Sequence, residues 1–499
     1  MFSKKSDAKH KLVVIGDSLS QGFHNGGIYR TDINFPAFIQ RCFDPEPDFQ
    51  QPAFTAQAGI PLNIEVLVRG MSEKYGDEIE WNELLPASKY MISTLKRIKK
   101  YWEGGMKDLS VERANPYHNQ SVWGFNISDS WVVNEKNSRE YIRKNPETFT
   151  VFNMLPEHAK FTTARLVLNP TFKKEYENRS QLDNAQILAD DGGIENLILC
   201  LGHNNMIAAV TDLKLIWTEG DDLEAFPGKR KYTLYRPEHF EQQYRKLAEK
   251  VSKLGAERVF VPTLPYVTIP PVMRGVNSDL SSKRLGYFDY YTRFWIWDED
   301  FHPDKHPHLT KDEAIHLDLT MDEYNAIIKQ VANEYGWNVV PVAKNVAGLA
   351  RRRLGGELVR EFPRGLKDAL LKRESTKHLV SPNGDVNLST DFLRLNDEGK
   401  LYKGGIFSLD GLHPTTIGYG LMANVYVKTM ARAGVKFERG INWDLVVSED
   451  TLVNDPPKLL AELRLVLRML AMNHQEKIFS ISKNILSQVM EVVSPRRHD

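Results

Sequence analysis

Leu12-Val13-Val14-Ile15-Gly16-Asp17-Ser18-Leu19-Ser20 is the stretch on which the reading of this chain turns. Four consecutive apolar residues, three of them β-branched, running into a glycine are what a strand buried on both faces requires. The Asp and Ser that follow are helix N-cap residues. Strand passing to helix over one glycine is a repeating unit of α/β proteins. It places Ser18 at the carboxyl end of the strand, with its hydroxyl exposed and its backbone N–H free to donate. The helix N-terminus there also favours negative charge. Taken alone, the triplet Gly16-Asp17-Ser18 is no more than a helix cap.

Working outward, Leu197-Ile198-Leu199-Cys200-Leu201 is a second such run, ending at Gly202. Residues 256–261 make a third, closed by Pro262, and Asn338-Val339-Val340 a fourth. A helix is expected over 321–335, where Tyr324, Ile327, Ile328, Val331 and Tyr335 recur at helical spacing. Thr320 and Glu323 have capping-box spacing at its start, and Gly336 supplies the stop. Strands alternating with amphipathic helices predict an α/β fold, a mostly parallel sheet with helices on both faces. Reactive groups in such sheets gather at the carboxyl ends of the strands.

Between these elements lie segments 60–115, 132–178, 207–235, 268–319 and 345–404, too long for simple loops. They read as insertions decorating a core that spans 1–436. Residues 437–499 read as a helical extension. There Asp455-Pro456-Pro457 signals a helix start, and Leu459, Leu460, Leu463, Leu467 and Leu470 form one stripe. Packing on the body is the expected use of that stripe, a dimer seam or a membrane-surface helix the alternatives.

Composition narrows the function. With 65 basic and 65 acidic residues the formal net charge is zero, which argues against nucleic acid or an anionic membrane as the main partner. Hydrophobic residues make up 41% and charged residues 26%, as in soluble globular proteins. No run approaches the roughly 18 apolar residues of a membrane span, so no transmembrane segment is expected. The first residues are charged, without the apolar stretch of a secretory signal, so a cytoplasmic protein is expected unless an export signal precedes residue 1. Two cysteines, Cys42 and Cys200, make a disulfide scaffold implausible, and Cys200 reads as a buried thiol.

Three further segments carry chemistry beside Ser18. In Asp410-Gly411-Leu412-His413-Pro414 an acid stands three residues before a histidine. One turn can set the carboxylate against the imidazole Nδ1–H and leave Nε2 free to take a proton from a serine. Read alone, the pair is a surface histidine with an Asx-turn partner. Gly202-His203-Asn204-Asn205 offers a side-chain amide at the end of a strand, and Gly124, in the segment 119–129, a backbone N–H. Each alone reads as a turn at a strand end. His302, His306, His308 and His316 suggest a metal site, but their spacing lacks a recognised ligand geometry, so a loop is the expected reading and no metal is assigned. The aromatic run 287–297 suits packing under a cap or, as the alternative, an apolar substrate surface.

The order Ser, Gly, Asn, Asp-x-x-His resembles the SGNH hydrolases, also called the GDSL esterase/lipase family, over about a third of the chain. Gly16-Asp17-Ser18-Leu19 spells the family's first block in full. The resemblance implies a three-layer α/β/α sandwich of flavodoxin-like type. It implies Ser18 as nucleophile, His413 as base and Asp410 as the residue orienting it. Ser18 N–H, Gly124 N–H and the Asn204 amide would form the oxyanion hole. Asn205 departs from the family's aspartate, and Gly59 competes with Gly124 for the second block. The expected activity is hydrolysis of a small-molecule, lipid or sugar ester through an acyl-enzyme, with no cofactor. Acyl transfer by the same triad and a non-catalytic binding module are the alternatives. The insertions carry no motif for the substrate or for an oligomeric state.

Overall fold

The computed structural model of the protein describes residues 8–43, 48–54, 59–104, 111–113, 115–145, 157–227, 230–276, 286–296, 298–350 and 361–462. In chain order, β1 (His10–Gly16) leads into the one-turn helix α1 (Ser18–Gln21), followed by α2 (Ile64–Tyr75), α3 (Glu157–Leu168) and α4 (Gln181–Asp190). Then come β2 (Ile194–Cys200), α5 (Asn204–Thr211), α6 (Pro237–Ser252) and β3 (Arg258–Pro262). The long helix α7 (Lys311–Glu334), β4 (Asn338–Val340) and α8 (Thr416–Arg432) complete the frame.

The four strands form one parallel sheet in the order β1-β2-β3-β4. The outer edge of β1 is covered by a short parallel partner, Asn119 opposite Val14. Val14 N–H donates to His118 O at 2.8 Å, Gln120 N–H to Val14 O at 2.8 Å and Val122 N–H to Gly16 O at 3.2 Å. The N–H and carbonyl of Val14 and the carbonyl of Gly16 are thereby satisfied on that edge.

Side chains alternate across the sheet as strand geometry demands. Leu12, Val14, Ile198, Cys200, Phe260 and Val340 enter one apolar cluster, which α2 and α8 complete. Val13, Ile15, Leu197, Leu199, Val259 and Val261 enter the other, completed chiefly by α3, α4, α6 and α7. Both faces are buried, which is why these strands are continuously apolar in sequence.

The structure revises two expectations. Helix α7 starts at Lys311, ten residues before the expected position. Its capping box joins Thr310 and Glu313, with Glu313 N–H on Thr310 Oγ1 at 3.3 Å and Thr310 N–H on Glu313 Oε2 at 2.7 Å. Thr320 lies mid-helix, its hydroxyl donating to His316 O. Buried Ala314, Leu317 and Met321 extend the apolar stripe N-terminally, so burial continues the helix past the Thr320 cap signal. The second revision concerns the segments read as decoration. Segment 132–178 contains α3, whose Phe161, Ala164, Val167 and Leu168 are core. Segment 268–319 holds a three-stranded antiparallel sheet (Met273–Val276, Tyr290–Arg293, His308–Thr310) and then runs into α7. The aromatic run 287–297 packs in its described residues, in line with the first of its two readings: Tyr291 is buried, and Phe294 stacks on Phe392 at 5.1 Å.

Residues 437–462 pack against the body. Phe437 meets Phe43 at 4.7 Å, and Leu459 and Leu460 are buried in the first cluster. Leu463, Leu467 and Leu470 lie outside the described residues. Among the described residues no helix is long and apolar enough to cross a membrane.

The displaced cap gives a direct test. Thr310→Ala should lower the unfolding free energy by about 1 kcal/mol. Glu323→Ala, exposed on the helix, should change it by less than about 0.5 kcal/mol. Urea denaturation of the two variants measures both.

Candidate active site

The site is built at the carboxyl end of β1. Asp17 caps α1, its Oδ1 accepting from Leu19 N–H at 3.1 Å, and Gly22 ends the helix at φ +95°. Such a sharp one-turn helix holds Ser18 at the strand end, 8% exposed. Ser18 Oγ makes no hydrogen bond to another described residue, and neither does its backbone N–H.

The chain after α1 is bonded to the loop that carries the Asp-x-x-His segment. Gly26 N–H donates to Asp410 Oδ2 at 3.0 Å, Asn25 N–H to Ser408 Oγ at 3.0 Å, and Leu409 N–H to Asn25 Oδ1 at 3.0 Å. Tyr419 of α8 donates its hydroxyl to Phe23 O at 2.6 Å. Phe23 in turn lies against the His413 ring, centroids 4.5 Å apart. The two ends of the sequence reading are therefore neighbours.

Within the second loop, Asp410 Oδ1 accepts from the N–H groups of Leu412 and His413 at 2.9 and 2.8 Å. Its Oδ2 lies 3.1 Å from His413 Nδ1. Burial alone would raise the Asp410 carboxyl. The His413 charge and hydrogen bond, with the backbone donors, outweigh burial and hold it at about 2, against an ordinary 3.8. An ionised carboxylate there requires Nδ1 to carry a proton, so in the neutral imidazole the lone pair is on Nε2. Ser18 Oγ and His413 Nε2 are not hydrogen-bonded to each other, a link that in many unliganded sites closes only with substrate.

On the opposite side, Asn204 opens α5. Its Nδ2 donates to Phe125 O at 2.8 Å and to Asp17 Oδ2 at 3.2 Å, bridging the residues that adjoin Gly124 and Ser18. Trp123 N–H donates to Gln21 Oε1 at 2.8 Å, tying the Gly124 turn to the end of α1. Gly124 sits at φ +73°, and its N–H has no acceptor among the described residues. Asn205, where the resemblance would have an aspartate, is buried and accepts from Ile127 N–H at 3.2 Å, so it supports the same turn. Gly59 lies instead in the turn leading to Ile60–Pro61, which pairs with Gly27–Ile28, and no bond among the described residues ties it to Asn204.

Comparison with known proteins yields no matching family model and no matching curated protein. The geometry stands on its own.

Two features escaped the sequence reading. Asp17, read as half of a helix cap, is 1% exposed and also contacts Asn204. His203 has its Nε2 at 3.1 Å from Pro265 O, which fixes that proton, and burial lowers it to about 4, with the nearby His413 adding to the shift. A polar letter beside a glycine carries no signal of the burial of Asp17. The histidines at 302–308 form a local turn, with His302 N–H on His306 Nδ1 at 3.0 Å. Among the described residues no group of three or more His, Cys, Asp or Glu is placed to hold a metal ion. Cys42 and Cys200 are both free and buried.

Gly411 is the tightest point of the Asp410–His413 loop. It adopts φ +70°, and a Cβ there would lie 2.9 Å from Val272 N and 3.2 Å from Pro271 C, both backbone atoms. Gly411→Ala should cost more than the roughly 1–2 kcal/mol of left-handed strain alone. Gly434→Ala, at φ +86° with no atom within 4 Å, supplies the strain-only comparison. Denaturant titration should rank Gly411→Ala as clearly the more destabilising.

Proposed function

We propose that this protein is a serine hydrolase of carboxylic esters, acting through an acyl-enzyme intermediate in the manner of the SGNH hydrolases it resembles. The observation that carries the reading is the Asp410–His413 pair, with Nδ1 fixed on the carboxylate at 3.1 Å, bonded through Gly26 to the chain that follows Ser18. Supporting it is the strand order. Counting the Asn119 segment, the chain visits the sheet as second, first, third, fourth and fifth strand, the order of flavodoxin-like doubly wound folds. With helices completing apolar clusters on both faces, this supports a three-layer α/β/α sandwich.

In this mechanism His413 Nε2 takes the Ser18 proton as Oγ bonds to the ester carbonyl carbon. The carbonyl π electrons move to oxygen, and the N–H groups of Ser18 and Gly124 with the Asn204 amide receive that charge. One such donor is worth about 2.7–4 kcal/mol. Collapse breaks the bond to the alkoxy oxygen, which leaves as the alcohol with the proton from His413. Water then attacks the acyl-serine with His413 as base again, releasing the acid and restoring the serine. Asp410 stays ionised throughout and stabilises the imidazolium.

Turnover of a short-chain aryl ester by purified protein, with covalent labelling of Ser18 by a fluorophosphonate, tests the reading. Ser18→Ala should lower kcat on the order of 10⁴-fold or more with the melting temperature preserved. A folded protein that neither turns over esters nor labels would indicate a binding module, and unchanged turnover in Ser18→Ala would exclude this nucleophile.

A further inference from the structure

The Asn204 amide has two hydrogens, and both are engaged, one by Phe125 O at 2.8 Å and one by Asp17 Oδ2 at 3.2 Å. An oxyanion can therefore recruit this amide only in competition with an acceptor already present, and the longer bond is the one to give way. That acceptor is the carboxyl of the residue before the nucleophile. Asp17 is 1% exposed, and its Oδ1 is engaged by Leu19 N–H.

We propose that Asp17 governs the availability of the Asn204 amide: as a carboxylate it retains the amide and adds negative charge beside the oxyanion site, and as a neutral acid it yields the amide and removes that charge. The proposal rests on the ester-hydrolase reading and deepens it, since it makes Asp17 a positioning residue that acts through Asn204.

The surroundings of Asp17 favour such an exchange. Burial lifts its carboxyl from the ordinary 3.8 to about 7, against the lowering effect of Leu19 N–H and its own backbone. Asn204 of α5 contacts it, and the titratable groups that feel its charge are the Cys200 thiol of β2 and the Tyr419 and Tyr426 phenols of α8. Burial raises the thiol and both phenols well above their ordinary values, and Asp17 adds to each shift. None of these groups brings a positive charge, so nothing among them holds Asp17 ionised as His413 holds Asp410. A carboxylate in such surroundings opposes the charge that the transition state develops.

Activity should fall as pH rises and Asp17 ionises. For stability the sign is that of a raised acid: burying neutral Asp17 favours folding below its ordinary 3.8, and that contribution is lost as pH rises through about 7.

The experiment is the pH profile of kcat for an aryl ester in the wild type, Asp17→Asn and Asp17→Ser, from roughly pH 5 to roughly pH 9. Serine keeps an N-cap oxygen if asparagine disturbs α1. The wild type should lose about tenfold in kcat per pH unit above the Asp17 titration, and the variant-to-wild-type ratio should climb by the same factor. A ratio constant across the range, or a wild-type profile with no descending limb, overturns the proposal while leaving the hydrolase reading intact. Absence of wild-type turnover at every pH overturns the hydrolase reading and this proposal with it. Melting temperatures across the same range check the titration separately: Asp450, which burial also raises to about 7, titrates in all three proteins, so the wild type should lose more stability than either variant as pH rises towards about 7.

Discussion

One carboxylate organises the site. Asp410 gathers three backbone N–H groups, two from its own loop and one from Gly26, and still faces His413 Nδ1. Hydrogen bonds to a charged group are worth about 1.5–3 kcal/mol each, so this centre can hold two loops together against the entropy of ordering them. It also places the imidazole proton on Nδ1, as the proposed role of Nε2 as a base requires. The positive-φ turn at Gly411 and the backbone of residues 271–272 pressed against it leave the loop little room to move.

The opposite wall is held by amides in place of charge. Asn204 joins the turn at Gly124 to the cap of α1, and Asn205 supports the turn from behind. Farther out, Arg230 pairs with buried Asp129 at 2.7 Å and also donates to Ser128, anchoring the end of the same segment. The segment that supplies Gly124 is in addition the edge partner of β1. A single stretch of chain thus closes the sheet and lines the site.

Much of this was legible in sequence, and the physical reason is local. The four strands are short apolar runs because both their faces are buried, and the Asp410–His413 contact lies within one turn, where a spacing of three is decisive. What was not legible depends on tertiary burial. The cap signal at Thr320 was real chemistry in the wrong context, since buried Ala314 and Leu317 carry the helix through it. Segment 132–178 reads as a decorating insertion, yet its α3 contributes Phe161 and Val167 to the core. Asp17 reads as no more than a helix cap because nothing adjacent in sequence tells how deeply it sits.

Gly26 and Asp410 are 384 positions apart, and so are Asn25 and Leu409. Contacts at such separation form late, because closing so long a segment of chain has an entropic cost that nearby pairings do not share. On a ribosome the β1–α1 unit is complete and already carries its serine hydroxyl long before the imidazole has been synthesised. On the proposed hydrolase reading, the nascent polypeptide would therefore lack its base for most of its synthesis, and a molecule cut short before position 410 would keep Ser18 without the Asp410–His413 pair.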